Sequence, residues 1–194
     1  GTRIMTTLKH ILMTLDDIAP LRTAESWDNV GLLVGDRARD ISRVLCCLTV
    51  TDATLDEAIE IQAELVVTHH PIPFKPMNRI TTDSTTGKIL LRAIEHRIAI
   101  YSPHTAWDNS EYGINAQLAK RLGLQNIGPL IPFSSELRAP HGTGTGRCGT
   151  TSAGTTIGSL QSMLTGAIPH CQFRHTHSIQ RELRKVGIVC GSGG

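Results

Sequence analysis

Leu65-Val66-Val67-Thr68-His69-His70-Pro71 is the stretch on which the reading of this chain turns. A short run rich in aliphatic and β-branched residues predicts a buried strand, and it ends in two adjacent imidazoles. Within a strand, neighbouring side chains point to opposite faces. Past the strand end the pleat is lost, and both rings can turn toward one cavity. Pro71 restricts His70 to an extended conformation, which stiffens the pair. A second unit repeats the design. Ile98-Ala99-Ile100-Tyr101 predicts a strand, and Ser102-Pro103-His104-Thr105-Ala106-Trp107-Asp108 follows it.

The segments around these two units supply the scaffold. Leu8, Ile11, Leu12, Leu15 and Ile18 stand at helical spacing, and Pro20 ends that helix. Trp27-Asp28-Asn29-Val30-Gly31-Leu32-Leu33-Val34-Gly35 reads as a turn feeding a short strand. Val44 to Val50 is a continuous apolar run, expected as a strand covered on both faces. Thr51 or Asp52 caps a helix over Ala53 to Ala63. Residues Pro71 to Thr86 read as a long loop, and Lys88 to His96 as a helix. Ile114 to Leu122 is a further helix with Gly123 as its left-handed stop. Strands alternating with helices predict a mostly parallel sheet flanked by helices, an α/β fold. In such sheets the site lies outside the carboxyl ends of the strands, where both histidine stretches fall.

After Pro132 the composition shifts to Gly, Thr and Ser. The expected organisation is a first α/β lobe over 5–131 carrying the metal ligands and a Gly/Ser/Thr-rich connection over 132–156. A second lobe then begins over 157–194. Within it, Ile157 to Leu164 reads as a short helix and Lys185 to Cys190 as a strand. Gly1 to Ile4, ahead of Met5, read as a remnant of expression. Gly191-Ser192-Gly193-Gly194 reads as a turn leading onward, so the second lobe is expected to be incomplete.

Composition narrows the function classes. The 194 residues are 40% hydrophobic and 19% charged, with a net charge of +2. No apolar stretch reaches spanning length, so no membrane partner is expected. Lys9, His10, Asp16 and Asp17 interrupt the segment Leu8 to Ile18, which makes a poor signal peptide, and a cytoplasmic address is expected. No block of like charges gives a nucleic-acid footprint. Five cysteines without a C-x-x-C pair fit reduced thiols, with Cys46, Cys47 and Cys190 expected as small buried hydrophobes.

His69, His70, His104 and Asp108 are the candidate metal ligands. His104 and Asp108 are four residues apart, so one helical turn puts both on one face. Alternatively, Asp108-Asn109-Ser110 only caps the next helix. Imidazoles with a carboxylate suit zinc, iron, manganese or cobalt rather than calcium. Adjacent rings diverge, which favours two divalent ions per subunit over one, and two ions need more donors than these four residues. His170, Cys171, His175 and His177 fit no standard zinc spacing and read as a polar segment. Lys75 and Arg79 read as ordinary loop charge.

The chain resembles the NIF-three-like family, dinuclear metal-centre proteins also described as GTP cyclohydrolase I type 2 homologues. The blocks that carry the resemblance are Glu25-Ser26-Trp27-Asp28-Asn29-Val30-Gly31-Leu32, Thr68-His69-His70-Pro71, Tyr101-Ser102-Pro103-His104-Thr105 with Asp108, and Gly187-Ile188-Val189-Cys190-Gly191-Ser192-Gly193-Gly194. The resemblance implies two related α/β lobes, a dinuclear centre and a toroidal homohexamer with its metal centres facing an interior cavity. His69, His70, His104 and Asp108 match the family's ligands by position. The family adds a His and a bridging Glu on a segment after the Gly-rich turn, beyond Gly194. It also implies a metal-dependent hydrolase acting on a nucleotide such as GTP. The alternative is a non-enzymatic metal-binding scaffold or a protein-interaction, regulatory protein.

Overall fold

Apolar runs that do not alternate need cover on both faces. The computed structural model, which describes residues 5–133, 140–176 and 181–191, supplies that cover in the first of two compact units, 1–107 and 108–194. Gly1 to Ile4, His177 and Ser192 to Gly194, and the part of the Gly/Ser/Thr-rich stretch from Ser134 to Ala139, for all of which the sequence carries expectations, lie outside the described residues.

In chain order the first unit holds β1 Thr6–Thr7, α1 Leu8–Ile18, β2 Gly31–Val34, β3 Asp40–Ile41 and β4 Val44–Cys47. It continues with α2 Asp52–Glu60, β5 Leu65–Thr68, α3 Thr85–Glu95 and β6 Ala99–Ser102, and α4 His104–Asn109 leads onward. Its main sheet has the order β2-β6-β5-β4. The β4/β5 and β5/β6 pairs are parallel and β2/β6 is antiparallel, so the sheet is mostly parallel as expected. Successive residues of the inner strands feed opposite cores. Val66 and Ile100 pack with Leu55, Ala58, Ile89, Leu90 and Ala93 under α2 and α3. Leu65, Ala99 and Tyr101 pack with Leu8 and Leu12 of α1.

Helix starts follow local chemistry. Thr51 caps α2, accepting from the Thr54 N–H, while the Thr54 hydroxyl accepts from the Thr51 N–H. Ser84 caps α3 by accepting from the Gly87 N–H at 3.0 Å, so that helix begins three residues before the expected Lys88. Two expectations need correction. β4 is an edge strand with an alternating burial pattern, and Cys46 is exposed rather than buried. An edge strand lacks a neighbour on one side and has less cover.

The second unit holds α5 Ile114–Arg121, β7 Gln125–Gly128, β8 Ile131–Pro132, β9 Gly144–Thr145, β10 Arg147–Thr150, α6 Ile157–Ala167 and β11 Lys185–Ile188. β10 pairs antiparallel with both β7 and β11. Ala119, Leu122, Leu124 and Ile188 form its core, with Leu160 and Leu164 of α6 packed against them. The Gly-rich stretch is therefore not only a connection. Gly144, at φ +154°, lies so close to β8 that an added Cβ would fall 2.4 Å from the Ile131 carbonyl oxygen. Glycine is required there for close backbone approach.

Candidate metal centre

Parallel pairing places the carboxyl ends of β4, β5 and β6 at one edge of the first unit's sheet. His69 and His70 leave β5 there, and His104 follows β6. The His69 N–H donates to the Cys47 carbonyl at 3.2 Å and the His70 N–H to the Leu48 carbonyl at 2.9 Å, which extends the pairing past the strand. The buried Ser102 hydroxyl donates to the His69 carbonyl at 2.7 Å, tying the two histidine stretches together.

Among the described residues, His69, His70 and His104 form a group able to hold a metal ion, with one ring nitrogen from each within 4.8 Å of the others. The His69 and His70 ring centroids are 5.0 Å apart, and the His69 and His104 centroids 5.1 Å. The loss of the pleat beyond Thr68 does bring both adjacent rings to one place.

β2 explains a residue to which the sequence reading assigned no role. It runs antiparallel to β6 with Gly31 opposite Ser102, so the segment before it arrives at the same sheet edge. That segment carries Asp28, whose side chain is fully buried. Both Asp28 oxygens lie 2.9 Å from His104 Nδ1. Oδ2 also accepts from the Thr105 N–H at 3.1 Å and from the Thr105 hydroxyl at 2.5 Å. Thr105 Oγ1 in turn accepts from the Glu25 N–H at 2.9 Å. Burial alone would raise the Asp28 pKa. The Thr105 hydroxyl, the His104 ring, the Thr105 amide and the His104 charge outweigh it and hold the carboxyl below its ordinary value.

An ionised Asp28 only accepts, so Nδ1 of His104 carries the proton and the lone pair of the neutral ring is on Nε2. Carboxylate-backed imidazole of this kind is the usual support of a metal-binding histidine. His104 itself stands at φ +29°, in the left-handed region that favours glycine. Strain of this sort persists where surrounding bonds over-determine the conformation, as the Asp28 contacts do here. His70 Nδ1 lies 2.7 Å from the Thr49 hydroxyl. Burial, then the charges of His104 and His70, push the His69 pKa down to about 4, against the opposing pull of Asp28. His69 is therefore neutral at physiological pH with a lone pair to donate. These states fit a divalent cation of borderline softness.

Asp108 lies on α4 four residues after His104, and the group of ligand atoms within 4.8 Å of one another comprises His69, His70 and His104 without it. Its backbone carbonyl accepts from Asn115 Nδ2 at 3.1 Å. The signal that could have found Asp28 was present in Trp27-Asp28-Asn29, but no local spacing links it to a residue 76 positions away.

Comparison with known proteins concerns the chain as a whole. A family model described as Duf34/NIF3 (NGG1p interacting factor 3) matches residues 6–194. NIF3-like protein 1 of Drosophila melanogaster is 37% identical over 189 residues, covering 96% of this chain and 63% of its own length. A GTP cyclohydrolase 1 type 2 homolog of Clostridium perfringens is 34% identical over 189 residues, covering 96% of this chain and 70% of its own. This chain spans only 35% of the human NIF3-like protein 1, at 39% identity over 133 residues. A crystal structure of a Staphylococcus aureus hypothetical protein superposes with a TM-score of 0.80 at 28% identity, covering 96% of this chain and 72% of that one. A Bacillus cereus protein related to NIF3 gives a TM-score of 0.81 at 22% identity, covering 97% of this chain and 77% of that one, a likeness of fold alone.

Proposed function

The chain belongs to the Duf34/NIF3 family, and from that premise we propose a metal-dependent hydrolase acting on a nucleotide, with His69, His70 and His104 holding divalent ions. The observation that carries the proposal is the trio of ring nitrogens within 4.8 Å of one another, one of them on a carboxylate-backed imidazole. That spacing suits a pair of ions about 3.5–4 Å apart as well as a single ion. We extend the ligand set to Asp108 on its helical spacing from His104. A centre of two ions in a homohexamer is the fuller form of the same reading.

When bound, a divalent ion supplies Lewis acidity, enough to make water a nucleophile near neutral pH. The chain's own residues prepare that chemistry. Asp28 fixes the tautomer and orientation of His104, and Thr105 fixes Asp28. Burial keeps His69 unprotonated. The name of the Clostridium perfringens relative supports a GTP cyclohydrolase-type reaction, in which hydrolysis at the purine C8 releases formate.

The test is incubation of metal-loaded protein with GTP, with formate and residual GTP measured. Formate release that disappears in His104→Ala is the expected result. No formate and no loss of GTP from metal-loaded protein would overturn the hydrolase and leave a metal-binding scaffold.

A further inference from the structure

Two large aromatic side chains stand exposed beside the imidazoles. Trp27 is 62% exposed and Phe74 51%. Single exposed apolar residues need no explanation, but an exposed aromatic pair at a site does. The two ring centroids are 6.1 Å apart with planes tilted by 50°. Trp27 lies 6.3 Å from the His104 ring and Phe74 6.1 Å, both nearly edge-on at 78° and 80°.

The pair is held rather than free. Asn29 Nδ2 donates to the Pro73 carbonyl at 2.7 Å, fastening the loop that bears Phe74 to the segment that bears Trp27. The Asn29 N–H donates to Asp28 Oδ1 at 2.8 Å, which links both to the carboxylate behind His104. Three consecutive residues thus have three tasks. Trp27 offers a ring face, Asp28 sets His104, and Asn29 places Phe74.

We propose that Trp27 and Phe74 form the seat of a planar heteroaromatic ring and present it to the His69, His70 and His104 cluster. The proposal rests on the nucleotide reading given above and names the part of the ligand these residues recognise. Aromatic rings attract one another at centroid separations of about 4.5–7 Å, offset-stacked or edge to face. A flat ring stacked on Trp27 would have Phe74 and His104 as its neighbours, their ring centroids standing 6.1 Å and 6.3 Å from that of Trp27. Stacking is tolerant of base identity because every base has a π-face, so this seat selects a flat heterocycle rather than one particular base. A second protein is the poorer occupant. The exposed parts of two side chains of roughly 150–250 Å² each fall far short of the about 800 Å² per partner of a stable interface.

The experiment is calorimetric titration of the metal-loaded chain with GTP, guanosine and inorganic triphosphate, for wild type, Trp27→Ala, Phe74→Ala and Trp27→Phe. Metal content, thermal midpoint and sedimentation are measured on each protein. Affinity for GTP and guanosine is expected to fall about tenfold or more in either alanine variant. Triphosphate binding, metal content and midpoint should not change, and Trp27→Phe should recover most of the affinity. Equal guanosine affinity in wild type and alanine variants overturns the seat, as does failure of metal-loaded wild type to bind guanosine. A change in sedimentation alone would assign the aromatic pair to subunit contact instead. Metal content reports on the metal reading separately, and formate release on the hydrolase, so each can fail without the others.

Discussion

At Asp28 a single buried carboxylate accepts from the His104 ring and from both the amide and the hydroxyl of Thr105. Replacing it with asparagine substitutes a neutral group that can also donate, so the His104 tautomer is no longer fixed. Loss of such a partner typically weakens metal binding about 10–100-fold. Asp28→Asn should therefore lose metal to a chelator at correspondingly lower concentrations, and an unchanged competition curve would contradict its role. Glu64 offers a pH test away from the site. Burial raises its pKa, but the Arg43 N–H at 2.7 Å, with the Ser42 hydroxyl and amide, brings it below the ordinary value. Because the folded pKa is depressed, the stabilisation is present above the unfolded pKa and is lost as pH falls through the folded one. The difference in denaturation midpoint between wild type and Glu64→Gln should be larger at pH 7 than at pH 3. A difference that grows toward acid would contradict the shift.

At the scale of elements, α1 shows how far burial decides stability. Leu12 is 6% exposed in the core against β6, whereas its neighbour Met13 is 57% exposed. Leu12→Ala should cost about 2–5 kcal/mol and Met13→Ala less than about 0.5 kcal/mol, read from urea midpoints. Similar costs would contradict the packing. These elements were legible because helical spacing in α1 and unbroken apolar runs in β5 and β6 are direct records of which faces are covered. The histidine cluster was legible because both strands end in it. Asp28 was not, because only the antiparallel pairing of β2 brings it to that edge. Nor was Arg147, which sits among alternating glycines that read as a connection. It is 1% exposed, and its guanidinium donates to the carbonyls of Gly144 at 2.8 Å and Asn109 at 3.1 Å, and to those of Gly146 and Ser110. Arg147→Met leaves these carbonyls without their donor and should cost about 3 kcal/mol. A midpoint within error of wild type would show the network to be dispensable.

At the scale of the molecule, the first unit holds all three histidines of the cluster, their carboxylate support and the aromatic pair. The matched region spans 63% of the Drosophila melanogaster relative and 35% of the human one. Among the described residues, no helix is long and apolar enough to cross a membrane. The proposed role of the imidazole cluster is to hold metal. Its most direct test is elemental analysis of the purified chain after loading with zinc, manganese, iron or cobalt and removal of excess, beside His69→Ala and His104→Ala treated identically. Wild type should retain at least one tightly bound divalent ion per chain, with retention falling sharply in both variants while their thermal unfolding stays cooperative. Metal-free wild type, or variants that retain as much metal as wild type, would contradict it.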